Sequence, residues 1–303
     1  MILTYCQEVS YMSFTPDPVA FTVFGLDIRW YAILICAGIL LAGFIGLRRA
    51  PSHGISADDA FDIILVSVPV GIVGARLWYV IFNIEYYDTF FDVINIRAGG
   101  LAIHGGLIFG CIAAILMCRK KKCHPLDVMD FAFPCIALAQ AIGRWGNFFN
   151  QEAHGSATDL PWGIMIDGEK VHPTFLYESL WCLILFFVLS AVDKRRKFKG
   201  QAAFLYGVLY SAERFFVEQL RTDSLLTGPA DLVYPLMEAG YDPTQVEGVI
   251  HIGNFLIYPF KTAQFISLAA FLLCLAALSV LGRRYRKRER RGFSEDAPHL
   301  KNL

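Results

Sequence analysis

Apolar residues run in seven stretches along this 303-residue chain, and charged residues gather between them. The stretches are 30–47, 61–82, 101–118, 129–147, 175–192, 202–221 and 263–282. A helix needs about 20 apolar residues to cross the hydrocarbon core of a bilayer. The fourth and sixth stretches carry polar residues near one end. The pattern predicts an all-α, polytopic membrane protein with seven transmembrane helices forming a single membrane domain over 1–303. The segment from Leu225 to Phe260 carries Asp231, Glu238, Asp242 and Glu247 and reads as an extracytoplasmic excursion at about 224–260. A basic tail follows at about 283–303.

Composition agrees with this pattern. The chain is 55% hydrophobic and only 18% charged, with a mean hydropathy of +0.47. Soluble domains are about 45–50% apolar and about 25% charged. The net charge of zero says nothing about partners, but the distribution of charge sets an orientation. Arg48-Arg49, Arg119-Lys120-Lys121-Lys122 and Lys194-Arg195-Arg196-Lys197 open alternate loops, and Arg283, Arg284, Arg286, Lys287, Arg288, Arg290 and Arg291 crowd the tail. The intervening loops hold only Arg97, Lys170 and Lys261. Basic loops stay in the cytoplasm. The N-terminus is therefore expected outside and the C-terminus in the cytoplasm, as an odd number of spans requires. No nucleic-acid-reading module accompanies the basic tail, so no nucleic-acid partner is expected. The eight cysteines are scattered, form no CxxC pair and read as small buried hydrophobes. Met1 to Arg29 lacks a basic start followed by an apolar run, so no cleavable signal peptide is expected there.

Orientation assigns depth to the polar residues. Tyr31 opens span one, and His104 opens span three. Arg76, Tyr79 and Asn83 share a helical face in the outer half of span two. Arg144 and Asn147 close span four. Tyr177 and Glu178 open span five, and Tyr210, Arg214, Glu218 and Arg221 form one stripe in span six. Each cluster falls on the outer side. An arginine near a membrane centre costs about 2.5–3.5 kcal/mol on translocon scales. The run Gly143-Arg144-Trp145-Gly146-Asn147-Phe148-Phe149-Asn150-Gln151-Glu152 therefore reads as a site rather than a lipid-facing wall. The bland alternative is interhelical pairing, of Arg214 with Glu218 or Glu178 and of Arg76 with Glu152. The glycines beside His104 and Arg144 fit either close helix approach or backbone contact with a ligand.

Four arginines (Arg76, Arg144, Arg214 and Arg221) suit a phosphate, whose oxygens a guanidinium binds bidentately. Glu152, Glu178 and Glu218 would balance and orient them. His104 carries an imidazole, the side chain suited to proton transfer near neutrality. No acyl-transfer serine or cysteine stands out, and no zinc or nucleotide motif is present, so no metal or organic cofactor is implied. The residues describe a site that holds an anionic headgroup while another molecule supplies the nucleophile.

Four motifs carry a resemblance to a known family. They are Gly143-Arg144-x-Gly146-Asn147-x-x-Asn150-x-Glu152-x-x-Gly155, His104-Gly105-Gly106-Leu107, Gly74-Ala75-Arg76-Leu77 and His172-Pro173-x-x-Leu176-Tyr177-Glu178. With Ile28-Arg29-Trp30-Tyr31, and over nearly the whole chain, the sequence resembles the prolipoprotein diacylglyceryl transferases of the bacterial inner membrane. The resemblance implies transfer of the sn-1,2-diacylglyceryl group of phosphatidylglycerol to a cysteine thiol in the lipobox of a preprolipoprotein signal peptide. Glycerol phosphate would leave and a thioether would form. It implies the lipid bilayer as the setting and an active site on the periplasmic side. It implies catalytic roles for His104, Arg144, Arg214, Tyr31 and Glu152. Substrate binding would involve Arg144, Asn147, Asn150, Arg76, Tyr210, Glu218, Arg221 and Glu178. Either His104 or an arginine-polarised setting could activate the thiol. The outer loop at Leu225 to Phe260 and the N-terminal Met1 to Pro18 are longer than the family's usual, and His154 stands where a larger aromatic is expected.

The rival reading is a transporter or channel for anionic solutes. It would place ionisable groups through both leaflets, whereas here the inner half reads as almost purely apolar.

Overall fold

The computed structural model describes residues 16–87, 89–96, 99–222, 250–252, 255–257 and 261–290. The excursion expected at 224–260 lies almost wholly outside them, as does the tail beyond Arg290. Eight helices are described: α1 Trp30–Arg49, α2 Ala57–Phe82, α3 Phe90–Ile94, α4 Ile103–Lys120, α5 Pro125–Asn150, α6 Thr174–Lys194, α7 Gln201–Leu220 and α8 Thr262–Arg290. Among the described residues, six helical stretches are long and apolar enough to cross a membrane: Trp30–His53, Ala57–Phe82, Ile103–Lys120, Pro125–Asn150, Thr174–Lys194 and Ala263–Glu289. α7 has the length, but Glu213, Arg214 and Glu218 set its composition apart.

The expectation of an all-α fold needs one correction. Among the described residues, three two-stranded antiparallel sheets accompany the helices: β1 Val19–Val23 with β2 Leu26–Arg29, β3 Ile164–Ile166 with β4 Glu169–Val171, and β5 Ile250–Ile252 with β6 Phe255–Ile257. In the first two, a two-residue loop turns with both residues at positive φ, Phe24-Gly25 (50° and 76°) and Asp167-Gly168 (50° and 86°). A turn of that hand matches the twist of the flanking strands, and Asp-Gly favours it strongly.

The chain packs as two compact units. One comprises Ala37–Gln140, Cys182–Ser211 and Ala270–Leu303. Its core gathers Ala50, Ile55, Ala60, Ile63, Cys118, Val128 and Phe131. In it α2 and α4 pack through glycines. A Cβ on Gly105 would lie 2.3 Å from the Gly74 carbonyl oxygen, and one on Gly74 would lie 2.3 Å from the Phe109 Cβ. Gly71 meets Gly106 and Gly110 in the same seam. Small residues let two membrane helices approach closely, where dispersion is the main attraction. For Gly74, Gly105 and Gly106, close helix approach is therefore the reading the structure supports.

Basic residues that set the expected orientation also hold this unit together. The two guanidinium nitrogens of Arg49 donate to Ser190 Oγ and Asp193 Oδ2, each at 2.8 Å, and the buried His53 Nε2 lies 2.8 Å from Asp193 Oδ1. Lys121 pairs with Asp59 and Asp62 at 2.9 and 2.5 Å, and hydrogen bonds to those carboxylates push its pKa above the usual lysine range. Asp130, fully buried, accepts from the backbone N–H groups of Gly200, Ala202 and Ala203 at 2.7–3.1 Å and pairs with Arg196. It thus satisfies donors that the first turn of α7 leaves open. Asp130→Ala strands these N–H groups in a dry interior. The expected cost is about 2–3 kcal/mol, read as earlier unfolding in an SDS titration of detergent-solubilised protein. An unshifted midpoint would remove Asp130 from this role.

The second unit comprises Met1–Cys36, Ala141–Trp181 and Ala212–Ala269. Trp145, Phe148 and Phe175 form an aromatic cluster with ring centroids 5.1–6.2 Å apart. Trp30 stacks on Phe149 at 5.0 Å. Three stretches distant in sequence are stitched by backbone bonds: Gly155 N–H donates to the His172 carbonyl at 2.9 Å, and Ser156 N–H donates to the Leu220 carbonyl at 2.8 Å. The Thr174 hydroxyl donates to the Ala153 carbonyl. Gly155 sits where these strands cross; a Cβ there would lie 2.6 Å from the His172 Cβ and 3.0 Å from the Leu220 carbonyl oxygen.

Candidate active site

That stitching brings the end of α5, the start of α6 and the end of α7 together. Arg144 on α5 forms an ion pair with Glu178 on α6. Arg214 on α7 reaches Glu178 Oε1 through Nη1 at 3.2 Å and Glu218 Oε2 through Nη2 at 2.5 Å. The side chain of Glu178 is 1% exposed and that of Glu218 is 3% exposed, against 21% for Arg144 and 16% for Arg214. The carboxylates therefore form the buried backing, and the guanidiniums are the more accessible layer. Two buried carboxylates matched by two guanidiniums satisfy the condition for keeping such charges out of water. The pairing of Arg214 with both Glu178 and Glu218, weighed from sequence as the bland reading, is what the structure contains. It holds the guanidiniums in place and leaves them partly open.

Beside them, Asn147 Nδ2 and Asn150 Nδ2 both donate to Glu152 Oε1, at 3.0 and 3.2 Å. The Glu152 backbone N–H donates to the Asn147 carbonyl at 3.1 Å. The chain leaves α5 through Gln151 and Ala153, both at positive φ (53° and 57°). This tight exit explains why Asn147, Asn150 and Glu152, spaced over six residues, meet at one oxygen. Tyr31 packs its ring against Gly146, where a Cβ would lie 2.5 Å from Tyr31 Cδ2. Its hydroxyl lies in the field of Glu152 and Arg144. Gly143 has nothing within 4 Å of where its Cβ would stand, so packing does not account for that glycine.

Arg221 closes α7. Its backbone bridges to Gly155, and its carbonyl accepts from Lys261 Nζ at 2.5 Å. Lys261 also donates to the Glu218 carbonyl at 2.7 Å. It therefore caps the open carbonyls at the end of α7, where a cation is also favoured by the helix dipole. Nothing in its sequence neighbourhood marks it, because its partners lie about 40 residues away.

The remaining expected site residues belong to the other unit. His104 is exposed in the first turn of α4 and makes no hydrogen bond among the described residues. Tyr210 stacks on Tyr206 with ring centroids 5.3 Å apart, and Tyr206 donates its hydroxyl to Gln140 at 2.7 Å. Arg76 is buried, and its Nε and two Nη atoms donate to the backbone carbonyls of Val93, Gly99, Gly100, Asp92 and Asn95 at 2.6–3.1 Å. A guanidinium has five N–H groups, and these five bonds account for them. Neither a phosphate nor the carboxylate weighed from sequence is its partner. The geometry makes Arg76 the organiser of the segment that follows α2. Gly100, at φ 78°, fits beneath it, since a Cβ would lie 2.5 Å from Arg76 Nη1.

Sequence reasoning passed over Glu213. It directly precedes Arg214 and lies off the stripe of Tyr210, Arg214, Glu218 and Arg221. Both of its carboxyl oxygens are buried without a hydrogen-bond partner among the described residues.

Apolar helices of crossing length and a buried arginine–carboxylate network together define a multi-pass membrane protein built around a charged site. A family model described as prolipoprotein diacylglyceryl transferase matches residues 18–280. The phosphatidylglycerol–prolipoprotein diacylglyceryl transferases of Clostridioides difficile (strain 630) and of Finegoldia magna are each 51% identical over 214 residues, covering 70% of this chain and 86% of theirs. That of Staphylococcus aureus (strain Newman) is 45% identical over 223 residues, covering 69% of this chain and 80% of its own. The chain belongs to the prolipoprotein diacylglyceryl transferase family.

Proposed function

We propose that this protein transfers the sn-1,2-diacylglyceryl group from phosphatidylglycerol to the thiol of a lipobox cysteine in preprolipoproteins. The observation that carries the reading is the pair Arg144 and Arg214, both anchored on buried Glu178, in a chain of this family. In the reaction the thiol sulfur attacks the glyceryl carbon. The S–C bond forms and the C–O bond to phosphate breaks. The thiol proton passes to a base, and glycerol phosphate departs with the bonding electrons. Negative charge grows on the phosphate oxygens as that bond breaks. Pre-set guanidiniums aimed at such oxygens are the kind of electrostatic stabilisation that lowers a barrier most.

Arg144 and Arg214 hold the phosphate. Glu178 and Glu218 position them. Asn147, Asn150 and Glu152 form an orienting group with Tyr31, and Arg221 and Tyr210 flank the end and middle of α7. Arg76 contributes by holding the segment after α2. α7 is the sixth of the seven spans, charged because it faces the site rather than lipid. The N-terminus lies outside and the C-terminus in the cytoplasm, with the site at the outer face of the bacterial cytoplasmic membrane. This orientation is supported by the alternation of basic loops.

His104 is the base for the thiol, whose reference pKa near 8.5 leaves little thiolate at neutral pH. His104→Gln is expected to slow transfer by about 100-fold. A rate within about threefold of wild type would reduce His104 to structure.

The function is tested by mixing purified protein with phosphatidylglycerol and a lipobox peptide. Mass spectrometry should find a diacylglyceryl adduct on the peptide cysteine, and its absence would refute the reading.

A further inference from the structure

Glu213 is a half-buried group that the reaction described above leaves without work. Both carboxyl oxygens are shielded from solvent, and no donor reaches them among the described residues. Buried polar atoms are nearly always hydrogen-bonded, and one that is not calls for an explanation. Lack of available donors is not the reason. Glu213 lies in the electrostatic field of Arg144, Arg214 and Glu178. Yet Arg144 is committed to Glu178, and Arg214 spans Glu178 and Glu218. Neither guanidinium donates to the Glu213 oxygens.

A bound molecule can supply donors to these oxygens, next in sequence to the Arg214 guanidinium assigned to the phosphate. In phosphatidylglycerol the atoms next to that phosphate, on the side away from the diacylglyceryl group, are a glycerol with a vicinal pair of hydroxyls. Two adjacent O–H donors match the two oxygens of one carboxyl group. We propose that Glu213 is a specificity-determining residue that accepts hydrogen bonds from the headgroup diol, so that the site takes a phosphoglycerol and rejects phosphodiesters lacking the diol. This rests on the reading of Arg144 and Arg214 as the phosphate holders.

Selectivity then follows from what the analogue leaves behind. A lipid without hydroxyls occupies the phosphate subsite but leaves the Glu213 oxygens desolvated and unpaired, which a polar pocket penalises strongly. An apolar residue at 213 carries no such penalty, so it should accept both lipids alike.

The test compares phosphatidylglycerol with phosphatidylethanol, an anionic phosphodiester without the diol, as donors to a lipobox peptide. Purified wild type, Glu213→Leu and Glu213→Gln are assayed for kcat/KM on each. Wild type should prefer phosphatidylglycerol by about 10- to 100-fold, the worth of one or two buried hydrogen bonds. Glu213→Leu should bring the two donors within about twofold, with a phosphatidylethanol rate at or above that of wild type, which shows the fold and phosphate subsite are intact. Glu213→Gln, which retains one acceptor oxygen, should fall between. The proposal is overturned if wild type shows no preference, if Glu213→Leu keeps the wild-type preference, or if it loses both donors equally. Failure of the wild type with both donors would instead overturn the transferase reading on which the proposal stands.

Discussion

Arg214→Ala is expected to lower transfer by about 1,000-fold or more while the protein still inserts and accumulates in the membrane. Removing one electrostatic donor from a developing charge costs about 100- to 1,000-fold in well-studied sites, and Arg214 carries a second role. Its Nη1 and Nη2 join Glu178 to Glu218, so its loss deprives Glu218 of the ion pair it makes. The stranded carboxylate would also repel the arriving phosphate. Arg214→Lys should recover little, because a single ammonium cannot reproduce a planar fork that spans two carboxylates. Initial rates of adduct formation, normalised to membrane-inserted protein, decide the matter. A lysine variant within about threefold of wild type would show that charge alone suffices and that the fork is incidental.

Glu178→Gln should be comparably severe although Glu178 is not expected to touch the reacting atoms. Its side chain is 1% exposed and backs both Arg144 and Arg214. Losing its charge releases both guanidiniums from their set positions and leaves them imperfectly paired. Breaking a buried pair in this way costs about 3–5 kcal/mol, felt partly as stability and partly as lost preorganisation. A drop in activity of at least about 100-fold is expected. The distinguishing measurement is a double-mutant cycle with Arg144→Ala. Residues acting through one network combine to less than the sum of their separate losses. If the two free-energy losses simply add, Glu178 does not act through Arg144.

The positions of most helices were legible in the chain because burial in lipid imposes long apolar runs, and such runs leave few alternatives. The expected spans 61–82 and 175–192 became α2 Ala57–Phe82 and α6 Thr174–Lys194. The small hairpins were missed because each strand is only three to five residues long. The Asp167-Gly168 dipeptide between Ile164-Met165-Ile166 and Glu169-Lys170-Val171 was a readable turn signal. Arg144, Arg214, Glu178 and Glu218 stood out in sequence because charges inside apolar segments are costly. Their pairing did not, since it depends on which helix faces which. Glu213 shows the limit of periodicity. It sits one residue off the polar stripe of α7 and went unmarked, yet both its carboxyl oxygens are buried without a hydrogen-bond partner among the described residues. Arg76 shows the reverse: a charge that looked available for a phosphate is consumed by five backbone carbonyls that only the folded segment presents.

The linear order of residues was enough to determine that this is a helical membrane protein, where its apolar segments lie, and which charged residues are too expensive to be incidental. Those properties follow from local composition and from the thickness of a bilayer. Tertiary structure alone decided that Glu178 serves two arginines, that Asp130 and Lys261 cap the two ends of α7, and that Arg76 faces carbonyls instead of solvent. Each is a contact between groups far apart in the chain, and a directional bond between distant groups exists only once the backbone has brought them to within about 3 Å.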